Sequence, residues 1–301
     1  MTSRWLIAGC HGQLGHALGE RLAAGPGCEV VAAIDREDVD LADPHAVGVL
    51  FDGLDSNPPD VAVNAAAFTQ VDRCEREPEA AERGNTIAPS VLAEACDKRG
   101  IRLVHVSTDY VFSGESPVAY REQDEPQPRS VYGRTKLAGE ERVLSTSASS
   151  LIVRTSWLFG RGRNFIAAIL AQADERRAGR ASGPLRVVDD QYGRPTYAHD
   201  LAEAIVSLVE RGAGGVYHVA NRGVATWWDL ARVSLDAAGY EDLSVERIRT
   251  DEVTTDAPRP ARSVLDCSKA EALGVMMRDW KDAVCAYLAS ADSPELRGRV
   301  S

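Results

Sequence analysis

The chain has 301 residues, 44% of them hydrophobic and 26% charged, with a formal net charge of −11. That is enough apolar material for a well-buried core in one large domain, or in one domain with a smaller lobe. The acidic balance excludes a general nucleic-acid surface, and no stretch approaches the run of about 18 apolar residues that a membrane span needs. The N-terminus enters a strand-like run at once, with no signal-peptide pattern. Cys10, Cys28, Cys74, Cys96, Cys267 and Cys285 are scattered without a C-x-x-C pair. They read as free thiols of a reducing cytoplasm.

In chain order, "RWLIAG" (4–9) has the pattern of a short buried strand ending at glycine. Residues 13–24 then repeat apolar side chains at helical spacing. "EVVAAID" (29–35) is a second strand. Asp43 caps a second helix with Pro44 at its first position. "PDVAVNAAA" (59–67) is a third strand. Residues 77–100 read as one long helix, kinked at Pro89 and ended by Gly100. Strands at 101–108 and 150–156 flank a helix at 131–145.

Strand and helix in alternation predict an α/β fold with a doubly wound parallel sheet, Rossmann-like, covered on both faces. Beyond residue 160 the pattern weakens. A loop is expected at 176–185, helices near 199–211, 226–239 and 280–289, and short strands at 185–188 and 216–219. The Pro- and Arg-rich "TTDAPRPARS" (254–263) reads as an ordered loop, and the terminal "SPELRGRV" as a frayed tail. The organisation expected is a dinucleotide-binding unit over 1–160 and a smaller C-terminal, mainly substrate-binding lobe over 161–301, interwoven with the sheet.

Gly9, Gly12 and Gly15 follow the first strand and open the first helix. Glycines there let backbone N–H groups approach a pyrophosphate, and the helix N-terminus adds a favourable field. The spacing is G-x-x-G-x-x-G rather than G-x-G-x-x-G. Asp35 lies 20 residues after Gly15, where a carboxylate meets the adenosine ribose and favours NADH. Arg36 follows it and would attract a 2′-phosphate, so the cofactor is NADPH or NADH. Tyr132 and Lys136 are four apart on a predicted helix and share a face. An ammonium beside a phenol stabilises the phenolate and lowers its pKa. The pair can then deliver a proton to a carbonyl oxygen, with Ser107 or Thr108 at a strand end holding the same oxygen.

These glycines with Tyr132 and Lys136 resemble the extended short-chain dehydrogenase/reductase superfamily. More narrowly, "GQLG", "VNAAAFTQVDRCEREPEAA", "VHVSTDYVFSG", "VYGRTKLAGE", "RTSWLFG", "DDQYGRPT" and "RPARS" resemble dTDP-4-dehydrorhamnose reductases, in the family's order. The resemblance implies NAD(P)H-dependent reduction of the C4 ketone of a dTDP-4-keto-6-deoxyhexose. It implies that Gly12, Gln13 and Leu14 meet the pyrophosphate, that Asp40 and Leu41 flank the adenine, and that Ala66, Ala67 and Thr69 line the cofactor channel. It makes Tyr132 the proton donor and gives Lys136 the nicotinamide ribose. Thr108 and Asp109 meet the sugar, Trp157 packs near it, and Asn164, Arg259 and Arg262 take the nucleotide or its diphosphate.

Some members of that family dimerise around magnesium held by glutamates. Two of those positions are Ala17 and His199 here, so no metal is expected, and the chain is expected as a monomer or weak homodimer. Asp109 is followed by Tyr110, where related 4,6-dehydratases carry a glutamate, which argues for simple reduction. A nucleotide-sugar epimerase or dehydratase, a non-catalytic dinucleotide-binding regulatory subunit, and a redox-sensing relative remain the rival readings.

Overall fold

The structure is a computed structural model and describes residues 2–293. Six parallel strands form the central sheet: β1 (Ser3–Ala8), β2 (Cys28–Ile34), β3 (Val61–Asn64), β4 (Arg102–Thr108), β5 (Leu151–Thr155) and, from far along the chain, β10 (Gly215–His218). Their order across the sheet is β10-β5-β4-β3-β1-β2, all neighbours parallel. Alternation along each strand divides the core in two. Trp5, Ile7, Val61, Val63, Val104, Leu151 and Val153 face one layer, covered by α1 (Gln13–Ala24) and α8 (Ala198–Glu210). Leu6, Ala8, Ala62, Leu103 and Ile152 face the other. That layer is covered by α2 (Pro44–Asp52), α5 (Ala88–Asp97) and α6 (Val131–Thr146). The doubly wound expectation is met.

Local chemistry sets the ends of these elements. Asp43 accepts from His45 N–H and Pro44 opens α2, as the sequence suggests. Ser130 caps α6 by accepting from Gly133 N–H, which fixes where Tyr132 and Lys136 start.

The expected single helix over 77–100 is interrupted. It is preceded by α3 (Val71–Arg76) and runs as α4 (Pro78–Glu82), a wide π turn (Arg83–Ile87) and α5. The wide turn absorbs the missing N–H of Pro89 and brings the buried Asn85 inward. Asn85 accepts from Phe68 N–H at 2.8 Å and donates to Thr135 Oγ1 at 3.1 Å, tying the turn to α6.

The later chain holds more structure than the sequence pattern announces. It forms β6 (Leu158–Phe159), α7 (Phe165–Arg177), β7 (Leu185–Val188), β8 (Tyr192–Gly193) and β9 (Thr196–Tyr197). After α8 and β10 come β11 (Ala225–Thr226), α9 (Trp227–Ala237), β12 (Val245–Ile248), α10 (Ser268–Ala272) and α11 (Trp280–Ala289). The 176–185 loop is shorter than expected, because α7 reaches Arg177. A separate core of Phe159, Ile166, Leu170, Leu185, Leu230, Leu235, Trp280, Val284 and Tyr287 holds this lobe together. The tail expected to fray lies almost wholly outside the described residues. Among the described residues all six cysteines are free, and no helix is long and apolar enough to cross a membrane.

Candidate active site

Strand order reverses at β1: the chain leaves it for β2 on one side and returns to β3 on the other. In such sheets the crevice beyond the strand ends is where ligands bind. A cleft of about 1060 Å³ opens there, lined by residues after β1, β2, β3, β4 and β5 and by α6.

Its first wall is the glycine turn. Gly9 has φ +84°, and a Cβ on it would sit 2.6 Å from Ala66 N across the crevice. Only glycine lets the β1 and β3 turns approach this closely. Gly12, Gln13 and Leu14 line the cleft from the start of α1. Gly15 does not. It lies beneath the turn, where a Cβ would meet the Gly9 carbonyl oxygen at 2.0 Å, so its place is in the packing of the turn rather than on its surface. The Asp35 carboxylate accepts from the N–H groups of His11 at 2.9 Å and Arg36 at 2.8 Å, and so faces the turn. The Arg36 side chain is exposed and pairs with Glu37 at 3.3 Å. Asp40, held below its ordinary pKa by Arg83, lines the same end with Leu41. Ala66, Ala67 and Thr69 line the floor beyond β3.

The far wall carries Thr108, Asp109, Tyr132 and Lys136. Tyr132, on the first turn of α6, is raised above its ordinary pKa by burial, while the Thr108 hydroxyl hydrogen-bonds it and opposes the rise. Thr108 donates to Asp109 Oδ1 at 3.1 Å and accepts from Tyr110 N–H at 3.2 Å. Burial pushes Asp109 up to about 6, against the hydrogen bonds from Ser263 and Thr108. Tyr110 stands edge-on to Tyr132 at 5.6 Å. Lys136 is buried, and burial lowers it to about 8 against the opposing charge of Glu140. Its Nζ donates to the Val106 carbonyl at 2.6 Å. Burial dominates the Tyr132 phenol, in place of the lysine charge expected from the spacing.

The match to a family model described as RmlD substrate binding domain runs over residues 3–293. The chain belongs to the dTDP-4-dehydrorhamnose reductase family. A dTDP-4-dehydrorhamnose reductase of Mycolicibacterium smegmatis is 37% identical over 98% of this chain and 89% of its own. A dTDP-4-keto-6-deoxy-D-glucose reductase of Streptomyces niveus is 40% identical over 94% and 96%. Among solved structures, the dTDP-4-dehydrorhamnose reductase of Bacillus anthracis in complex with NADP has a TM-score of 0.88. It is 32% identical and covers 95% of this chain and 99% of its own.

Later residues complete the lining of the cleft. Trp157 adopts φ +47° and stacks on Trp227 at 3.7 Å, with Phe165 behind, forming an aromatic wall. Trp227, Arg161 and Phe68 line the cleft but had no assigned role in the sequence reading. Asn164, expected at the nucleotide, is instead the cap of α7. Its Oδ1 accepts from Ala167 N–H at 3.0 Å, and its Nδ2 donates to Gly160 O at 2.6 Å and Tyr287 Oη at 3.0 Å. An asparagine just before an apolar helical run carried that signal.

Arg259 is turned to Asp72, 2.7 Å away. The Arg262 guanidinium lies over the Tyr192 ring, and its Nε is buried without a hydrogen-bond partner among the described residues. Neither arginine lines the main cleft. The same is true of Arg194, whose Nε is also buried and unpartnered among the described residues. The strap carrying Arg259 and Arg262 reaches the cleft through Ser263, which donates to Asp109 Oδ2. Ala17 is buried in the core, and His199 pairs with Asp292 at 2.7 Å.

Proposed function

We propose that the protein reduces the C4 ketone of a dTDP-4-keto-6-deoxyhexose with NADPH or NADH. The favoured reaction converts dTDP-4-dehydro-L-rhamnose to dTDP-L-rhamnose or makes a close deoxysugar relative. The observation that carries this reading is the placing of Tyr132, Thr108 and Lys136 on one wall of a cleft whose other wall is the Gly9 turn. A dinucleotide fits the residues present. The Gly9–Ala66 approach leaves a cradle that a side chain would fill. The α1 N-terminus opens onto it, and the buried Gln13 Oε1, Ser107 Oγ and Thr155 Oγ1 have no hydrogen-bond partner among the described residues.

Gly12, Gln13 and Leu14 would hold the pyrophosphate, Asp35 or Arg36 the adenosine ribose end, and Lys136 the nicotinamide ribose. When bound, the reduced nicotinamide supplies the hydride that reaches C4. Tyr132 holds its proton in the resting site, because burial disfavours the phenolate. It gives that proton to the ketone oxygen as the alkoxide forms. Thr108, which donates a hydrogen bond to Asp109 and lies within hydrogen-bond reach of the phenol, aims that phenol before substrate arrives. Trp157 and Trp227 present a flat apolar face to a sugar or base. Residues 1–160 would serve mainly the dinucleotide and 161–301 mainly the sugar nucleotide.

A dehydratase needs a second carboxylic acid beside Thr108. Tyr110 stands there instead and packs on Tyr132. Three carboxylates near the ribose end, Asp35, Glu37 and Asp40, favour NADH, and Arg36 favours NADPH. The missing family glutamates at positions 17 and 199 support a monomer or weak homodimer, and the free cysteines a cytoplasmic site of action.

The test supplies dTDP-4-keto-6-deoxyhexoses with each reduced nicotinamide and follows cofactor absorbance and product configuration. Tyr132→Phe should lower kcat by about 10²-fold or more with dinucleotide affinity retained. No oxidation with any such sugar would overturn the enzymatic reading.

A further inference from the structure

Behind Lys136, two buried polar residues with no part in the reaction above form a line across the sheet. Asn64 on β3 and His105 on β4 are register partners, and they are 1% and 0% exposed. Asn64 Oδ1 accepts from Ala66 N–H at 3.1 Å, which fixes the orientation of the amide. Its Nδ2 therefore donates toward His105 Nδ1, 3.1 Å away. Nδ1 must carry a lone pair, and the proton of the neutral ring sits on Nε2. Burial, and next the charge of Lys136, hold His105 well below its ordinary pKa, so the ring is neutral.

Nε2 lies 3.4 Å from Lys136 Nζ. An ammonium has three donors and no acceptor, so it would meet an N–H with an N–H. A neutral amine has a lone pair for Nε2–H and one N–H for the Val106 carbonyl. Its second N–H is left for the cleft. The hydrogen-bond polarity is complete only for the amine.

We propose that Asn64 and His105 are positioning residues which, by fixing the imidazole tautomer, hold Lys136 at the balance between ammonium and amine. The charge on the lysine is thus set from the sheet side. The other titratable groups around it leave that control in place. On its own helix, Glu140 is bound by Arg154 of β5 through three hydrogen bonds of 2.7–3.1 Å. Tyr132 lies one turn before it, and Asp109 is engaged by Thr108 and Ser263. From α3, Glu75 is held by Val131 N–H. Ammonium favours the transient tyrosinate, so activity falls on the alkaline side as Lys136 loses its proton. This kinetic consequence rests on the proposed reductase reading; the tautomer does not.

Asn64→Asp tests the line. One carboxylate oxygen keeps the Ala66 N–H, while the other accepts from Nδ1–H. The lone pair then moves to Nε2, which accepts from the ammonium. In ligand-free protein, ¹⁵N NMR of the histidines should show His105 protonated on Nε2 in the native chain and on Nδ1 in Asn64→Asp. The Lys136 titration, and with it the alkaline limb of kcat against pH, should move up by about one unit or more. Nδ1 protonation in the native chain overturns the proposal, as does an unmoved Lys136 titration in the folded variant. If Asn64→Asp does not fold, the native tautomer alone decides. An inactive native enzyme with the expected tautomer would refute the reductase reading and leave the tautomer assignment standing.

Discussion

Helix α1 contains two glycines whose replacement by alanine separates helix propensity from close approach. Alanine inside a helix is about 0.8–1 kcal/mol more favourable than glycine. At Gly19 nothing lies within 4 Å of an added Cβ, so Gly19→Ala should stabilise the protein by up to about 1 kcal/mol. At Gly15 the same atom would stand 2.0 Å from the Gly9 carbonyl oxygen and 2.7 Å from Cys10 Cα. Both are backbone atoms, and neither can rotate away. To reach ordinary contact the helix and the turn must separate by more than an ångström. Overpacking of that kind costs about 1–3 kcal/mol. Rigid neighbours put it at the upper end, and the propensity gain offsets only about 1.

Gly15→Ala should therefore end near 2 kcal/mol less stable than the native chain, and about 3 below Gly19→Ala. Denaturant unfolding of the three proteins measures this directly, and NADPH or NADH titration should show weaker binding in Gly15→Ala alone. Equal stability and equal dinucleotide affinity in the two variants would refute the argument that Gly15 supports the turn from below.

Two further outcomes concern buried charge. Glu140→Ala strands Arg154 in the core, both partners being under 5% exposed, and should cost about 3–5 kcal/mol. Replacing both by apolar residues should restore most of that in the same unfolding assay. Asp109 is raised by burial to about 6, so the folded state binds its proton more tightly than the unfolded chain does. The associated stability is fully present below about pH 4 and is lost as pH rises through 6, amounting to about 3 kcal/mol. The difference in unfolding free energy between Asp109→Asn and the native chain should shift by that amount, in favour of the variant, between about pH 4 and about pH 7. A difference that stays constant with pH would contradict it.

The N-terminal half was legible because its strands alternate into two covering layers and its helices carry cap residues. The later half was less so, for definite reasons. In α7, FIAAILAQADERR, the buried Ile166, Ile169, Leu170 and Ala173 keep helical spacing, but an unbroken apolar run from Phe165 to Ala171 masks that stripe. The π turn forms around Asn85, whose partners Phe68 and Thr135 are 17 and 50 residues away. Strand β10 is four residues long and pairs with a strand 64 positions earlier, a choice that local pattern does not encode. At the cleft, glycine spacing and the Tyr132–Lys136 interval pick out residues that line facing walls. By contrast, arginines in a stiff Pro-rich loop read as anion ligands, yet Arg259 is engaged by Asp72. His105 gave no sign at all, since a histidine inside "VHVST" looks like any strand residue.

The edge strand β10 and the covering helix α8 come from beyond residue 197, after the chain has already visited the outer lobe. A cut at the apparent boundary would strip β5 of its outer neighbour, leaving only β4 beside it, and uncover the apolar face of α1. The two walls of the cleft are therefore sewn together by repeated crossings and do not hang on one flexible joint. Occupancy at either wall should tighten the entire molecule, raising its resistance to unfolding by RT ln(1 + [L]/Kd) as a single cooperative body.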